Sequence, residues 1–314
     1  MSSPGEVLRS ASGSVLPFFS GPAPLPPMPW REPDMSSPSP TDLRRHVEGD
    51  TPTPRVTLLF LLGVAFLYLL GGLPLQLLFG EVGIGLMQIG LLLLPALLLV
   101  KVLGYDPVKT FSLRPPPRGA PLRGAILLMA GGVILAWFLA WAQSFVIPVP
   151  VEVLEALAAF LTTDDPLRFL WLLLLVAAIP AVAEEFLFRG VVLSGLRSRL
   201  GTAGAVVGSA LVFGIFHLSP QTAFRFLPTF WLGILLAWVV VETRSIWVGV
   251  LLHFLNNGTI LLISFLPATR DVASQVEQDP PFLLLPVGVA LFVTGAILLR
   301  SARGGAGEDP GFSS

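Results

Sequence analysis

Residues 169–190 read "FLWLLLLVAAIPAVAEEFLFRG". The first twelve are oil, and the run then takes in Glu184, Glu185 and Arg189 and continues apolar into "VVLSGL". An apolar helix of about 20 residues is what a bilayer accepts. Each charge near the middle of such a helix costs about 2.5–3.5 kcal/mol on insertion scales, so these three together cost on the order of 8–10 kcal/mol before pairing. Three explanations compete. The span ends near Ala183 and the charges lie at the interface, or they pair and pin helices together, or they carry chemistry.

Composition supports the bilayer. Of 314 residues, 54% are hydrophobic and only 12% charged, with a mean hydropathy of +0.80. An ordinary soluble domain has about 25% charged residues. The expected fold class is therefore all-α, a polytopic transmembrane helical bundle. A net charge of −1 gives no ground for a nucleic-acid partner. The absence of cysteine excludes disulfides, thiolate metal sites and a cysteine nucleophile.

Residues 1–55 are rich in Pro, Ser and Gly, without apolar periodicity, and read as a disordered cytoplasmic tail. Residues 56–300 form the expected transmembrane domain, and 301–314 a second disordered tail. About eight spans are expected: 57–79, 82–103, 122–145, 168–196, 203–217, 226–242, 246–266 and 282–300. The fifth is short, and the first two are joined by a tight turn near Gly80. Lysine and arginine set the orientation. With the N-terminus inside, thirteen near-membrane Lys and Arg residues, from Arg44 to Arg303, fall on the cytoplasmic side, against Arg168, Arg225 and Arg270 outside. Both termini are thus expected in the cytoplasm, with 146–167 as an external loop. The strong preference for Arg over Lys points to a GC-rich bacterium and its cytoplasmic membrane.

Depth brings three helices to one layer. Glu184 lies 13 residues above Arg197, about 20 Å at 1.5 Å per residue. His217 lies about 24 Å above Gly201, and His253 and Asn257 lie about 12 and 18 Å above Ser245. Two of the chain's three histidines fall in this layer. Glu185 and Arg189 are four apart and share a helix face, whereas Glu184 is turned about 100° away and keeps its carboxylate available. Phe213 is four residues before His217, placed to wall one side of the imidazole. An unpaired carboxylate, an imidazole and two further polar side chains suffice to activate water and stabilise an oxyanion.

Three motifs now stand in order: "EEFLFR" (EExxxR), "FGIFH" (FxxxH) and "HFLNN" (HxxxN). Together they resemble the CPBP family, which comprises the type II CAAX prenyl endopeptidases and the bacteriocin-processing and immunity (Abi) proteins. The resemblance covers about 120–266. It implies an intramembrane endopeptidase acting on a membrane-associated or lipidated protein or peptide. By position, Glu184 and His217 would hold and deprotonate the water, His253 and Asn257 would form the oxyanion site, and Glu185 and Arg189 would support them. A glutamate-dependent mechanism without a metal is the favoured expectation. A divalent metal such as zinc at Glu184, His217 and His253 is the alternative.

Other readings stay open beside it. The same polar layer would suit a membrane transporter, although interrupted, repeated helices of the transporter kind are not visible. It would also suit a non-catalytic scaffold or immunity protein. No HExxH helix and no GxSxG loop within a span is present. The expected partners are the bilayer and a membrane-borne substrate; substrate identity and oligomeric state are not readable from the chain.

Overall fold

The computed structural model describes residues 49–219, 221–269 and 280–301, all within one compact unit spanning 40–314. Among these residues the regular structure is helical, and the only extended pairing is an isolated bridge between Leu113 and Ser245. The expected tails at 1–55 and 301–314 lie outside the described residues up to 48 and from 302 onward. Residues 49–55 belong to the folded body: Thr53 caps the first helix, and Asp50 pairs with Lys109.

Helix α1 (Pro54–Phe79) turns back at Gly80 into α2 (Glu81–Leu103). A short α3 (Pro107–Phe111) follows, then α4 (Ala120–Ser144) and α5 (Val151–Leu161). The chain next runs helically from Pro166 to Phe216, 51 residues. At 1.5 Å per residue a straight rod of that length would reach about 77 Å, more than twice the ~30 Å hydrocarbon core. It is broken at Gly201 (φ 64°, ψ 179°), a backbone conformation only glycine adopts freely. The two halves are α6 (166–200) and α7 (202–216). Then come α8 (Ala223–Thr243), α9 (Ile246–Phe265) and α10 (Leu284–Ser301). Among the described residues seven helices are long and apolar enough to cross a membrane. The expected count of about eight differs only by the division at Gly201.

The segment 146–167, expected as an external loop, contains α5. Its "VEVLEALAAFL" has apolar residues spaced for one helix face, and none of the helix is buried.

The lipid-facing surface is evident on α1, where Leu58, Leu59, Leu62, Phe66, Leu69, Leu70 and Leu73 are all exposed. A soluble protein would not expose so large an apolar band, and the protein is accordingly a multi-pass membrane protein. Its opposite face packs inward: Leu61 and Val64 of α1 meet Leu92 of α2, Ala183, Leu187 and Phe188 of α6, and Phe213 of α7. A second cluster joins Ala125 and Leu128 of α4 to Leu235 and Val239 of α8, Leu252 of α9 and Leu299 of α10. Together these clusters fix α2, α6, α7 and α9 around one buried point.

Three stretches widen into π-helical turns: Gln88–Leu93 in α2, and Leu173–Ala178 and Phe186–Val192 in α6. Such turns displace the regular hydrogen-bond register and recur at functional sites. Two of their carbonyls accept from side chains of neighbouring helices. Ser209 Oγ donates to Phe188 O at 2.7 Å, and Asn257 Nδ2 donates to Val176 O at 3.2 Å.

Candidate active site

The charges of α6 sit inside the protein. Glu184 is 6% exposed, Glu185 0% and Arg189 1%, so they do not lie at an interfacial helix end. Arg189 Nη1 donates to Glu185 Oε1 at 2.9 Å, the pairing expected from their spacing. The guanidinium also donates through Nη2 to Gly233 O of α8 at 3.2 Å and stands 4.4 Å over the Phe213 ring. Ion pairing, a hydrogen bond and a cation–π contact thus compensate one buried cation.

Glu185 reaches further than its pair with Arg189. The same Oε1 lies 3.0 Å from His253 Nδ1. A carboxylate only accepts, so Nδ1 carries a proton and Nε2 of the neutral ring carries the lone pair. Gly249, one helical turn before His253, permits this approach, because a Cβ there would stand 2.8 Å from Glu185 Oε2.

His217 is fixed in the same sense by a different partner. It caps the C-terminus of α7, and its Nδ1 lies 2.8 Å from Phe213 O, a carbonyl that only accepts. Its Nε2 therefore also presents a lone pair. Phe213 contacts both imidazoles, with centroids 4.5 Å from His217 and 5.9 Å from His253.

The two Nε2 atoms converge on one oxygen. Glu184 Oε2 is 3.7 Å from His217 Nε2 and 3.8 Å from His253 Nε2, and it accepts no direct hydrogen bond. These separations exceed a direct hydrogen bond, and polar groups held slightly beyond contact are commonly joined through a shared water. His253 is buried, whereas the His217 side chain is 39% exposed. The cluster is therefore approached from the His217 side.

The other Glu184 oxygen is held from a helix that the sequence analysis did not include. Gln88 Nε2 of α2 donates to Glu184 Oε1 at 2.9 Å. A signal existed. Gln88 is the one strongly polar residue in "VGIGLMQIGLLLLPALLLV" (82–100), and it lies 13 residues from Lys101, just as Glu184 lies 13 from Arg197.

Asn257 follows His253 by one turn on α9. One of its N–H groups is given to Val176 O, and its Oδ1 accepts from Asn256 Nδ2 at 3.0 Å. The structure thus brings Glu184, Glu185, Arg189, His217 and His253 into one contiguous network. Asn257 stands beside that network, anchored to α6, with its second amide hydrogen remaining.

Two imidazole nitrogens and a carboxylate are donor types that zinc accepts. Among the described residues, however, no group of three His, Cys, Asp or Glu side chains is placed to hold a metal ion.

Residues 166–259 match a protein-family model described as Type II CAAX prenyl endopeptidase Rce1-like. This is narrower than the 120–266 of the sequence resemblance, but it contains all seven motif residues, while Gln88 lies outside it. No curated protein and no solved structure matches the chain. The likeness carried by EExxxR, FxxxH and HxxxN is borne out: residues 166–259 are similar to the Rce1-like type II CAAX prenyl endopeptidases, in keeping with the CPBP resemblance.

Proposed function

We propose that the protein is an intramembrane endopeptidase that hydrolyses a peptide bond of a membrane-associated or lipidated protein or peptide, with Glu184 as general base. The observation that carries this reading is the convergence of His217 Nε2 and His253 Nε2 on Glu184 Oε2, at 3.7 and 3.8 Å.

A water among these three atoms would donate one proton to Glu184 Oε2 and the other to His217 Nε2. Its oxygen attacks the scissile carbonyl carbon as Glu184 takes the first proton. The carbonyl π pair moves onto oxygen, and the remaining Asn257 N–H is available to that oxyanion. His253 donates from Nε2 only when doubly protonated, and Glu185 at its Nδ1 compensates the charge of that state. As the C–N bond breaks, the proton on Glu184 passes to the leaving nitrogen. The hydroxyl proton of the new carboxyl group, directed at His217 Nε2, passes on to the amine, so the products are a carboxylate and an ammonium, and Glu184 is regenerated.

The polar network also explains why the charges are tolerated. Glu185 and Arg189 neutralise each other and hold His253, leaving Glu184 to do the chemistry. A transporter or a non-catalytic scaffold using this layer would cut nothing. The test is cleavage of a fluorogenic prenylated CAAX-type peptide by the purified protein, beside proteomics of membranes carrying wild type or Glu184→Gln. Cleavage products that vanish in Glu184→Gln support the reading. Products equally abundant with both, or with neither, overturn it.

A further inference from the structure

We infer that Gln88 is a positioning residue for Glu184: its side-chain amide, delivered from α2, selects which carboxylate oxygen faces the two imidazoles. The inference rests on the reading of Glu184 as general base, and it involves a helix outside the family-matched segment.

Gln88 is 7% exposed and sits where α2 widens into its π-helical turn. Its Nε2 donates to Glu184 Oε1 at 2.9 Å. That bond occupies one carboxylate oxygen and leaves Oε2 toward His217 Nε2 and His253 Nε2. A carboxylate on two rotatable methylenes would otherwise sample several rotamers, and the catalytic proton transfer needs one. The arrangement has a cost. Gln88 Oε1 is buried without a hydrogen-bond partner, which leaves its lost hydration uncompensated. An apolar residue of the same shape would avoid it, so packing does not account for an amide here.

Other groups act on the same carboxylate. They are Tyr68 from α1, near enough to feel its charge, with His217 from α7, His253 from α9, and Glu185 and Arg189 from its own helix. The Gln88 effect must therefore be measured as a difference against an unchanged set of neighbours.

The experiment compares full-length wild type, Gln88→Met, Gln88→Asn and Glu184→Gln in detergent. Gln88→Met preserves volume and removes the orphaned amide oxygen but leaves Glu184 Oε1 without its donor, so the protein should stay folded with a modestly lower melting temperature. Gln88→Asn keeps an amide one methylene short of the acceptor. Two readouts are taken. The first is the infrared carboxylate stretching band of Glu184 at fixed pH, identified by its loss in Glu184→Gln. The second is the kcat and KM for the prenylated CAAX-type peptide. Both Gln88 variants should shift that band, because the stretching frequency of a carboxylate follows the hydrogen bonds it accepts. They should lower kcat by about 10–100-fold, as loss of alignment does, with KM little changed. An unmoved infrared band in a folded variant overturns the role of Gln88 whether or not the peptide is cleaved. Wild-type cleavage retained by Glu184→Gln brings down the underlying reading instead.

Discussion

Glu185 Oε1 lies 3.0 Å from His253 Nδ1 and 2.9 Å from Arg189 Nη1, so one oxygen joins α6 to α9 while neutralising a cation on its own helix. The two adjacent glutamates of "AVAEEFLFRG" thereby differ in surroundings. Glu185 Oε1 is shared between a cation and an imidazole, whereas Glu184 Oε2 accepts no direct hydrogen bond.

Substitutions should expose that division. Glu185→Gln or Arg189→Met leaves a buried charge without its partner, a loss of about 3–5 kcal/mol. Either change should lower melting temperature and yield together with activity, and Glu185→Gln should also release the His253 ring from its fixed tautomer. Glu184→Gln removes a buried charge whose hydrogen-bond partner is an amide, so that protein should stay folded but inactive. Melting temperature and peptide cleavage measured side by side decide it. A folded, dead Glu185→Gln beside an active Glu184→Gln would reverse the assignment.

Much of this was legible before any coordinates. The Glu185–Arg189 pair follows from a four-residue spacing on a helix, and the φ 64° break at Gly201 lies between the spans read as 168–196 and 203–217. Depth arithmetic placed Glu184, His217 and His253 at a common level. What it could not supply was direction. Which imidazole nitrogen faces Glu184 is decided by Phe213 O and by Glu185 Oε1, contacts that depend on how helices rotate against each other. The π-helical turns were invisible for a related reason, since an apolar run such as Leu173–Ala178 carries no mark of its hydrogen-bond register. Gln88 carries no charge and belongs to none of the three motifs, so only its own depth on α2 marks it. Helix α5 carries acidic residues and no basic ones, a composition that external loops share.

Orientation is a separate prediction. The bias of thirteen cytoplasmic to three external basic residues places both termini inside. Reporter fusions at Asp50, Asp164 and Gly305 should score inside, outside and inside. An outside score at Asp50 with an inside score at Asp164 would invert the topology.

Metal dependence can be measured directly. If Glu184 activates a water held by protein groups alone, a chelator that strips zinc should leave turnover of the purified protein largely intact. Stoichiometric zinc lost together with activity, and activity restored by its return, would instead assign Glu184, His217 and His253 as ligands.

Asn257 provides the finest test, because two interactions compete for its amide. One N–H is committed to Val176 O in the π-helical turn of α6, and Asn256 Nδ2 holds its Oδ1 at 3.0 Å. Only the second N–H is available to an oxyanion, which appears in the transition state and not in the bound substrate. Removing such a donor typically lowers turnover by about 10²–10³. Asn257→Ala should therefore reduce kcat by that order with KM little changed. It should also cost some stability, since Val176 O loses its donor. Asn256→Ala removes only the group that orients the neighbouring amide, so its effect on kcat should be much smaller. Steady-state kinetics and melting temperatures for both variants separate the roles. An Asn257→Ala protein that melts early but turns over normally would make Asn257 a helix anchor alone, and a larger kcat loss in Asn256→Ala would show that the neighbouring amide is the one that meets the substrate.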